Sequence, residues 1–319
     1  MQTLFRWTKR LALAALIVVV LSTVAFFPWA TDREASAADT EAQRQFYAKA
    51  YASIRNQGQA GTAQSTDATD ATEYSEGAVG VHIAQGSKPK LARFLEERGL
   101  TKGRGLDIGS GPGFFQDVME DYTGLDISPT AARFYKKGFV LGSATAMPFH
   151  DNEFDIAFSF YTLEHVPNPE QALREARRVV KSGGYLYLEP AWNCSPFAPQ
   201  GYPVRPYSDF GFAGKCLKAI QPVVESSMFR ATSVIPARMI RLAVASTMGP
   251  TKFHYSRITP NYQHYWMSDS DAVNTLSRFE TALWFISRGD ECVNCDRPLS
   301  LSVFRHASEN RLIIRVRKS

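Results

Sequence analysis

The stretch Arg104-Gly-Leu-Asp-Ile-Gly-Ser-Gly-Pro-Gly113 constrains this chain more than any other. Gly105 to Ile108 reads as a short buried strand. It runs directly into a turn with glycines at 109, 111 and 113. Phe114 to Met119 then reads as an apolar, helix-like stretch. Glycine accepts positive φ and lets a ligand approach the backbone closely. A strand, a glycine turn and a helix start together make a small-molecule cradle at the carboxyl edge of a parallel sheet. Two ligands compete for such a loop. A dinucleotide fingerprint is G-x-G-x-x-G, and its third glycine would fall at Phe114. The spacing here is G-x-G-x-G, with Asp107 two residues ahead of Gly109.

The following residues extend the pattern in order. Asp126, in Thr123-Gly-Leu-Asp-Ile-Ser128, ends a second apolar run, where a carboxylate can accept both hydroxyls of a ribose. Gly142-Ser-Ala-Thr-Ala-Met-Pro-Phe149 and Asp151 to Pro169 come next. Leu173 to Pro190 then reads as a helix, a glycine stop and a fifth strand. This series, from about Leu91 to Pro190, resembles the type 11 (UbiE-like) branch of the class I S-adenosylmethionine-dependent methyltransferases. The resemblance implies S-adenosyl-L-methionine as cofactor. It also implies an α/β fold, a doubly wound, mostly parallel seven-stranded sheet, to which this chain's own residues add an inserted cap and an N-terminal transmembrane helix.

By the same resemblance, Gly109, Gly111 and Gly113 shape the loop around the amino-acid end of the cofactor, and Asp107 orients that loop. Asp126 takes the ribose hydroxyls, and Ala144 and Met147 pack the adenine. The family often has an acidic residue where this chain has Ser143, so the adenine contact there is weaker or made by backbone. Tyr161 to His165 falls just past the fourth strand, facing the methyl group. His165 is a candidate base, because imidazole titrates near neutral pH. Leu163-Glu-His-Val166 is commonplace in this branch, however, which favours a local structural role for His165, and Glu164 reads as structural. His254 and His264, in the insertion, are the other candidate bases.

The N-terminus carries a separate message. Arg6, Lys9 and Arg10 precede an almost wholly apolar run from Leu11 to Ala30. About twenty residues of helix span a bilayer core. We read 1–10 as a short basic tail, 11–30 as a retained single-pass anchor and 31–73 as a flexible stem. Within the stem, Glu41 to Ile54 has an amphipathic helical pattern. A cleaved signal peptide is the alternative, with Ala35-Ser-Ala37 as a small-x-small site. The side of the membrane stays open: the basic flank places the rest of the chain outside, whereas cofactor supply places it in the cytosol.

Residues 74–190 form the expected cofactor-binding core, with a helix over His82–Gly99 covering the cofactor. The segment 191–267 reads as an inserted substrate cap rich in Tyr, Phe and Trp. Residues 268–319 are expected to complete the core, with a helix over Ser268–Phe279 and strands over Thr281–Ser287 and Arg311–Arg317. The net charge of +5 shows no Lys/Arg-rich block, so no nucleic-acid partner is expected. Cys292 and Cys295 lack further ligands for a structural zinc, so no metal is expected. They are either a disulfide or free thiols. The expected activity is O-methylation of a sugar, glycolipid or other small, partly apolar acceptor. Alternatives are C-methylation of a quinone-like lipid and a non-catalytic binding or scaffold protein, with a nicotinamide oxidoreductase the remotest.

Overall fold

The computed structural model describes residues 2–25, 37–53, 76–194, 206–224, 226–258, 260, 271–295 and 311–318. The helices are α1 (Gln2–Ala25), α2 (Ala37–Ser53), α3 (Glu76–Glu97), α4 (Pro169–Val179), α5 (Phe212–Val224), α6 (Ser227–Met248) and α7 (Arg278–Ile286). The strands are β1 (Arg104–Ile108), β2 (Asp121–Asp126), β3 (Gly138–Leu141), β4 (Phe154–Phe160) and β5 (Val180–Glu189), then β6 (Ser256–Arg257), β7 (Asn274–Thr275), β8 (Glu291–Cys292) and β9 (Leu312–Arg315).

Seven strands form one sheet in the order β3-β2-β1-β4-β5-β9-β8. The first five are mutually parallel, and β9 pairs antiparallel with both β5 and β8. The doubly wound sheet is therefore as expected, with one antiparallel strand inserted near its edge. Strand order reverses between β1 and β4, and open α/β sheets place ligand crevices at such a reversal.

Both faces of the sheet are covered, so its central strands are apolar on both sides. Successive residues of β4 and β5 alternate between two cores. Phe158, Tyr185 and Tyr187 face α3, which contributes Leu91, Phe94 and Leu95. Ala157, Leu186 and Leu188 face α4 and α7, which contribute Leu173, Ala176, Trp284 and Phe285. α3 ends as its sequence predicts: Gly99 has φ +65°, and Leu100 N–H closes the turn on the Leu95 carbonyl at 2.8 Å.

Several expectations are corrected. The anchor over residues 11–30 is overturned, because among the described residues no helix is long and apolar enough to cross a membrane. α1 begins at Gln2 and spends its first turns on the polar segment that carries Arg6, Lys9 and Arg10. Its apolar part, Leu11 to Ala25, rises only about 22 Å at 1.5 Å per residue. A bilayer core needs about 30 Å. α1 packs alongside α6. The single-pass membrane localisation falls with the anchor.

Phe114 to Met119 forms successive turns rather than a helix. So short a segment before β2 cannot offset the cost of nucleating a helix. Its Phe115 is instead spent on the core, with its ring stacked 4.2 Å from that of Phe160. Thr281 to Ser287 was expected as a strand, but Thr281–Ile286 lies in α7 with Ser287 as its C-cap. The helix expected at Ser268–Phe279 begins only at Arg278, after β7. A buried pair holds α7 in place: Arg241 of α6 donates to both carboxylate oxygens of Glu280 at 2.9–3.3 Å. Buried carboxylates of this kind are stable only when so paired. Cys292 and Cys295 are joined by a disulfide.

Candidate active site

The cavity of interest measures about 360 Å³ and opens at the carboxyl ends of β1 to β4. That is the low end of the range for ligand pockets, about 300–1,000 Å³. Its floor is built from the loops that the sequence singled out. Gly109, Asp126, Ser143, Ala144, Tyr161 and His165 all line it.

The glycine turn is conformationally obligatory. Gly109, Gly111 and Gly113 have φ of +70°, +49° and +72°. A Cβ on Gly109 would lie 2.1 Å from Thr162 Cγ2, and Thr162 Oγ1 donates to the Gly109 carbonyl at 3.2 Å. The loops after β1 and β4 are therefore packed directly against each other. Gly111 and Gly113 shape the turn without lining the cavity.

Asp126 ties the turn to the end of β2. Its Oδ2 accepts Gly111 N–H and its Oδ1 accepts Ser128 N–H, each at 2.8 Å. The Ile127 N–H also reaches this carboxylate, and the side chain borders the cavity. Burial pushes this carboxyl up to about 6, opposed by those backbone donors. Asp107 sits one layer below, outside the cavity lining, where it accepts the Tyr122 hydroxyl at 2.7 Å. Burial pushes it up to about 7, with the Tyr122 hydrogen bond opposing and the Asp126 charge adding to the rise. Ser143 Oγ is engaged with Thr145 at 2.9 Å. Met147 points into the core instead of the cavity.

The roof was not expected to be where it is. The helix anticipated at Glu41–Ile54 forms as α2, and Thr40, Gln43, Tyr47 and Tyr51 line the cavity from above. No α3 residue does so among the described lining residues. α2 is docked by polar contacts. Gln43 donates to the His165 carbonyl, and Arg133 donates to the Tyr51 carbonyl and, at 3.2 Å, to the Ala52 carbonyl. A cation at the last carbonyls of a helix is favourable. Tyr51 Oη lies 3.2 Å from where a Cβ on Gly111 would stand, so α2 seals the glycine turn as well.

Asp271, which sequence reasoning missed, sits behind His165. Its Oδ2 accepts the Tyr47 hydroxyl at 2.6 Å and lies 3.1 Å from His165 Nδ1. The His165 contact is a close approach without hydrogen-bond alignment at Nδ1. Burial would raise the Asp271 carboxyl, but the facing imidazole and the Tyr47 hydroxyl hold it below the usual range. The segment is fixed in place: Val273 N–H bonds the Glu164 carbonyl at 3.0 Å, and Asn274 Nδ2 the Val166 carbonyl at 2.6 Å. Glu164 is fully buried and accepts Ala191 N–H at 2.8 Å, a role in holding the loop. His254 lies in the 253–255 segment, away from the cavity lining. His264 is outside the described residues. No group of three or more potential metal ligands occurs among the described residues.

The family profile described as "Methyltransferase domain" (Methyltransf_11) matches residues 106–188. The chain is 36% identical over 95 residues to an uncharacterised protein of Methanocaldococcus jannaschii, covering 29% of this chain and 46% of that one. It is 32% identical over 126 residues to an uncharacterised methyltransferase of Mycobacterium tuberculosis, covering 36% and 46%. It is 33% identical over 94 residues to a sterol 4-C-methyltransferase of Caenorhabditis elegans, covering 25% and 28%. The chain thus spans about half the length, or less, of these curated relatives.

Proposed function

We propose that this chain, whose residues 106–188 belong to the type 11 family of class I S-adenosylmethionine-dependent methyltransferases, methylates an oxygen of a small, partly apolar acceptor such as a sugar or glycolipid. One observation carries the reading: a carboxylate suited to a ribose, Asp126, and a basic side chain, His165, border a single cavity. Bound S-adenosylmethionine supplies an electrophilic methyl group on a sulfonium and leaves as the neutral thioether.

The residues fit that cofactor. Asp126 would accept the ribose hydroxyls, the left-handed glycine turn would let the amino-acid end approach the backbone, and Ser143 and Ala144 would lie beside the adenine. His165 would take the proton of the acceptor hydroxyl as that oxygen is methylated. Asp271, 3.1 Å from His165 Nδ1, would steady the imidazolium so formed. Most of the acceleration in such a displacement comes from alignment. Tyr47, Tyr51 and Tyr161 offer faces suited to sugar rings and apolar rings alike.

Calorimetry of the full chain with S-adenosylhomocysteine tests the reading. Binding is expected, and Asp126→Ala should weaken it about 10- to 100-fold, the worth of hydrogen bonds to a charged group. A folded protein that gives no heat refutes the reading, and NAD(H) binding in its place would support an oxidoreductase. C-methylation is the second reading, favoured by the similarity to the sterol enzyme. Radiolabelled cofactor offered with hydroxylated sugars and with sterol-like or quinone-like acceptors separates the two. Cofactor binding without transfer to any acceptor would favour a non-catalytic protein.

A further inference from the structure

We propose that α5 and α6, with α1 beside them, form a docking face for an anionic lipid surface. Fifteen of the eighteen large apolar side chains exposed among the described residues lie on these three helices. Exposed apolar residues scattered singly are ordinary, but a concentration of this kind marks a surface made to be covered. The face stands apart from the cavity, to whose lining none of its residues contributes.

α5 is inverted relative to an ordinary surface helix. Phe212, Cys216, Ile220 and Val223 recur at three- and four-residue spacing on its outward face, and Phe212 is 85% exposed. Lys218, on the opposite side, is buried, with its ammonium 4.1 Å from the centre of the Tyr207 ring. On α6 the exposed stripe runs through Met228, Thr232, Met239, Ala243 and Ser246, and no exposed side chain described on this helix is charged. Arg241 of the same helix turns inward to Glu280. α1 packs alongside α6 and adds the exposed Leu11, Leu13, Leu16 and Ile17.

Charge selects the occupant. α1, α5 and α6 together carry eight Lys and Arg and no Asp or Glu, although the chain as a whole has 31 acids. Asp209 and Glu225 flank α5 without entering it. Arg6, Lys9, Arg10 and Lys215 are exposed. A second copy of this chain would bring these like charges together, which opposes association. Apolar helix faces bordered by Lys and Arg instead settle in the headgroup region of a bilayer, with the apolar side chains about 5–10 Å deep and the cations on acidic headgroups. Helices lying in that plane need not reach across the bilayer, and none of these is long and apolar enough to do so.

Flotation of the full chain with phosphatidylcholine vesicles, with and without phosphatidylserine, tests this. The chain should float with the vesicles that contain phosphatidylserine, and added salt should release part of it. Phe212→Ser and Met239→Ser replace exposed side chains, so their melting temperatures should match wild type. Each should weaken vesicle binding about tenfold, the worth of burying one large apolar side chain. Lys215→Glu should weaken binding about fivefold or more on phosphatidylserine vesicles. No flotation with either vesicle, or both apolar variants floating as wild type does, overturns the inference. Equal flotation with and without phosphatidylserine overturns the part assigned to charge. A dimer in sedimentation velocity that the same substitutions break, with no flotation, gives the face to a second copy and overturns it too. If one apolar variant fails to fold, the other decides.

Discussion

Replacing Asp107 by Asn should stabilise the protein at alkaline pH and do nothing for it in acid. The carboxyl is 2% exposed, and burial pushes it from its ordinary 3.8 to about 7. A folded-state value above the unfolded one means that the folded protein holds the proton more tightly. The contribution to stability is therefore fully present below about pH 4 and is lost as pH rises through about 7. Three units at 1.36 kcal/mol each put the swing at about 4 kcal/mol. Asn keeps an oxygen for the Tyr122 hydroxyl but carries no charge to desolvate. Urea unfolding of both proteins at intervals between pH 4.5 and 8.5 measures the gap. The two curves should lie close together in acid and separate progressively above neutrality, with the variant the more stable. A gap independent of pH, or one that opens in acid, refutes the reasoning. The difference between the two proteins removes the carboxyls not coupled to Asp107, while Asp126, whose charge adds to the Asp107 rise, stays linked to it.

Binding of S-adenosylhomocysteine should strengthen as pH rises through about 6 and then level off, because ribose hydroxyls need the ionised Asp126, whose carboxyl is pushed up to about 6; calorimetry across pH 5–8 reads this, and affinity falling with pH would contradict it. Gly109→Ala should lose cofactor binding and lower the melting temperature, since φ +70° strains any Cβ and this one meets Thr162 at 2.1 Å; an unchanged melt and affinity would show that the turn relaxes. Arg241→Met should cost about 3–5 kcal/mol by stranding Glu280, whereas Arg241→Met with Glu280→Gln should recover much of it; denaturant midpoints of the single and double variants check this, and a single variant as stable as wild type would sink it.

The loops that floor the cavity were legible because their signals are local. The turn at 109–113 needs positive φ at three glycines, and glycine spacing records that need directly. Asp126 was legible because it ends an apolar run of the length of a strand. The His165 partners were not legible. Asp271 is an ordinary acid in a run of polar residues, and it is tertiary bonds such as those from Val273 and Asn274 to the 164–166 turn that bring it to the imidazole. Tyr47 lies in a segment whose weak amphipathic pattern predicted a helix but not its docking place. The 281–287 stretch misled for a physical reason: Thr, Trp, Phe and Ile favour strands on local grounds. Here burial of Trp284 and Phe285 and the Arg241–Glu280 pair override that preference. The apolar run at the N-terminus misled because composition alone does not say where a helix begins.

The insertion of β9 between β5 and β8 has a consequence during synthesis. β5 ends at Glu189, and its neighbour on that side, Leu312–Arg315, is translated about 120 residues later. At about 5–20 residues per second, that edge of the nascent sheet stays without its partner for roughly 6–25 s. An unpaired edge carrying Tyr185, Leu186, Tyr187 and Leu188 is a template for pairing with other chains. Conditions that slow translation between codons 190 and 312 should therefore lower the yield of native protein, even though the finished fold would be unaltered.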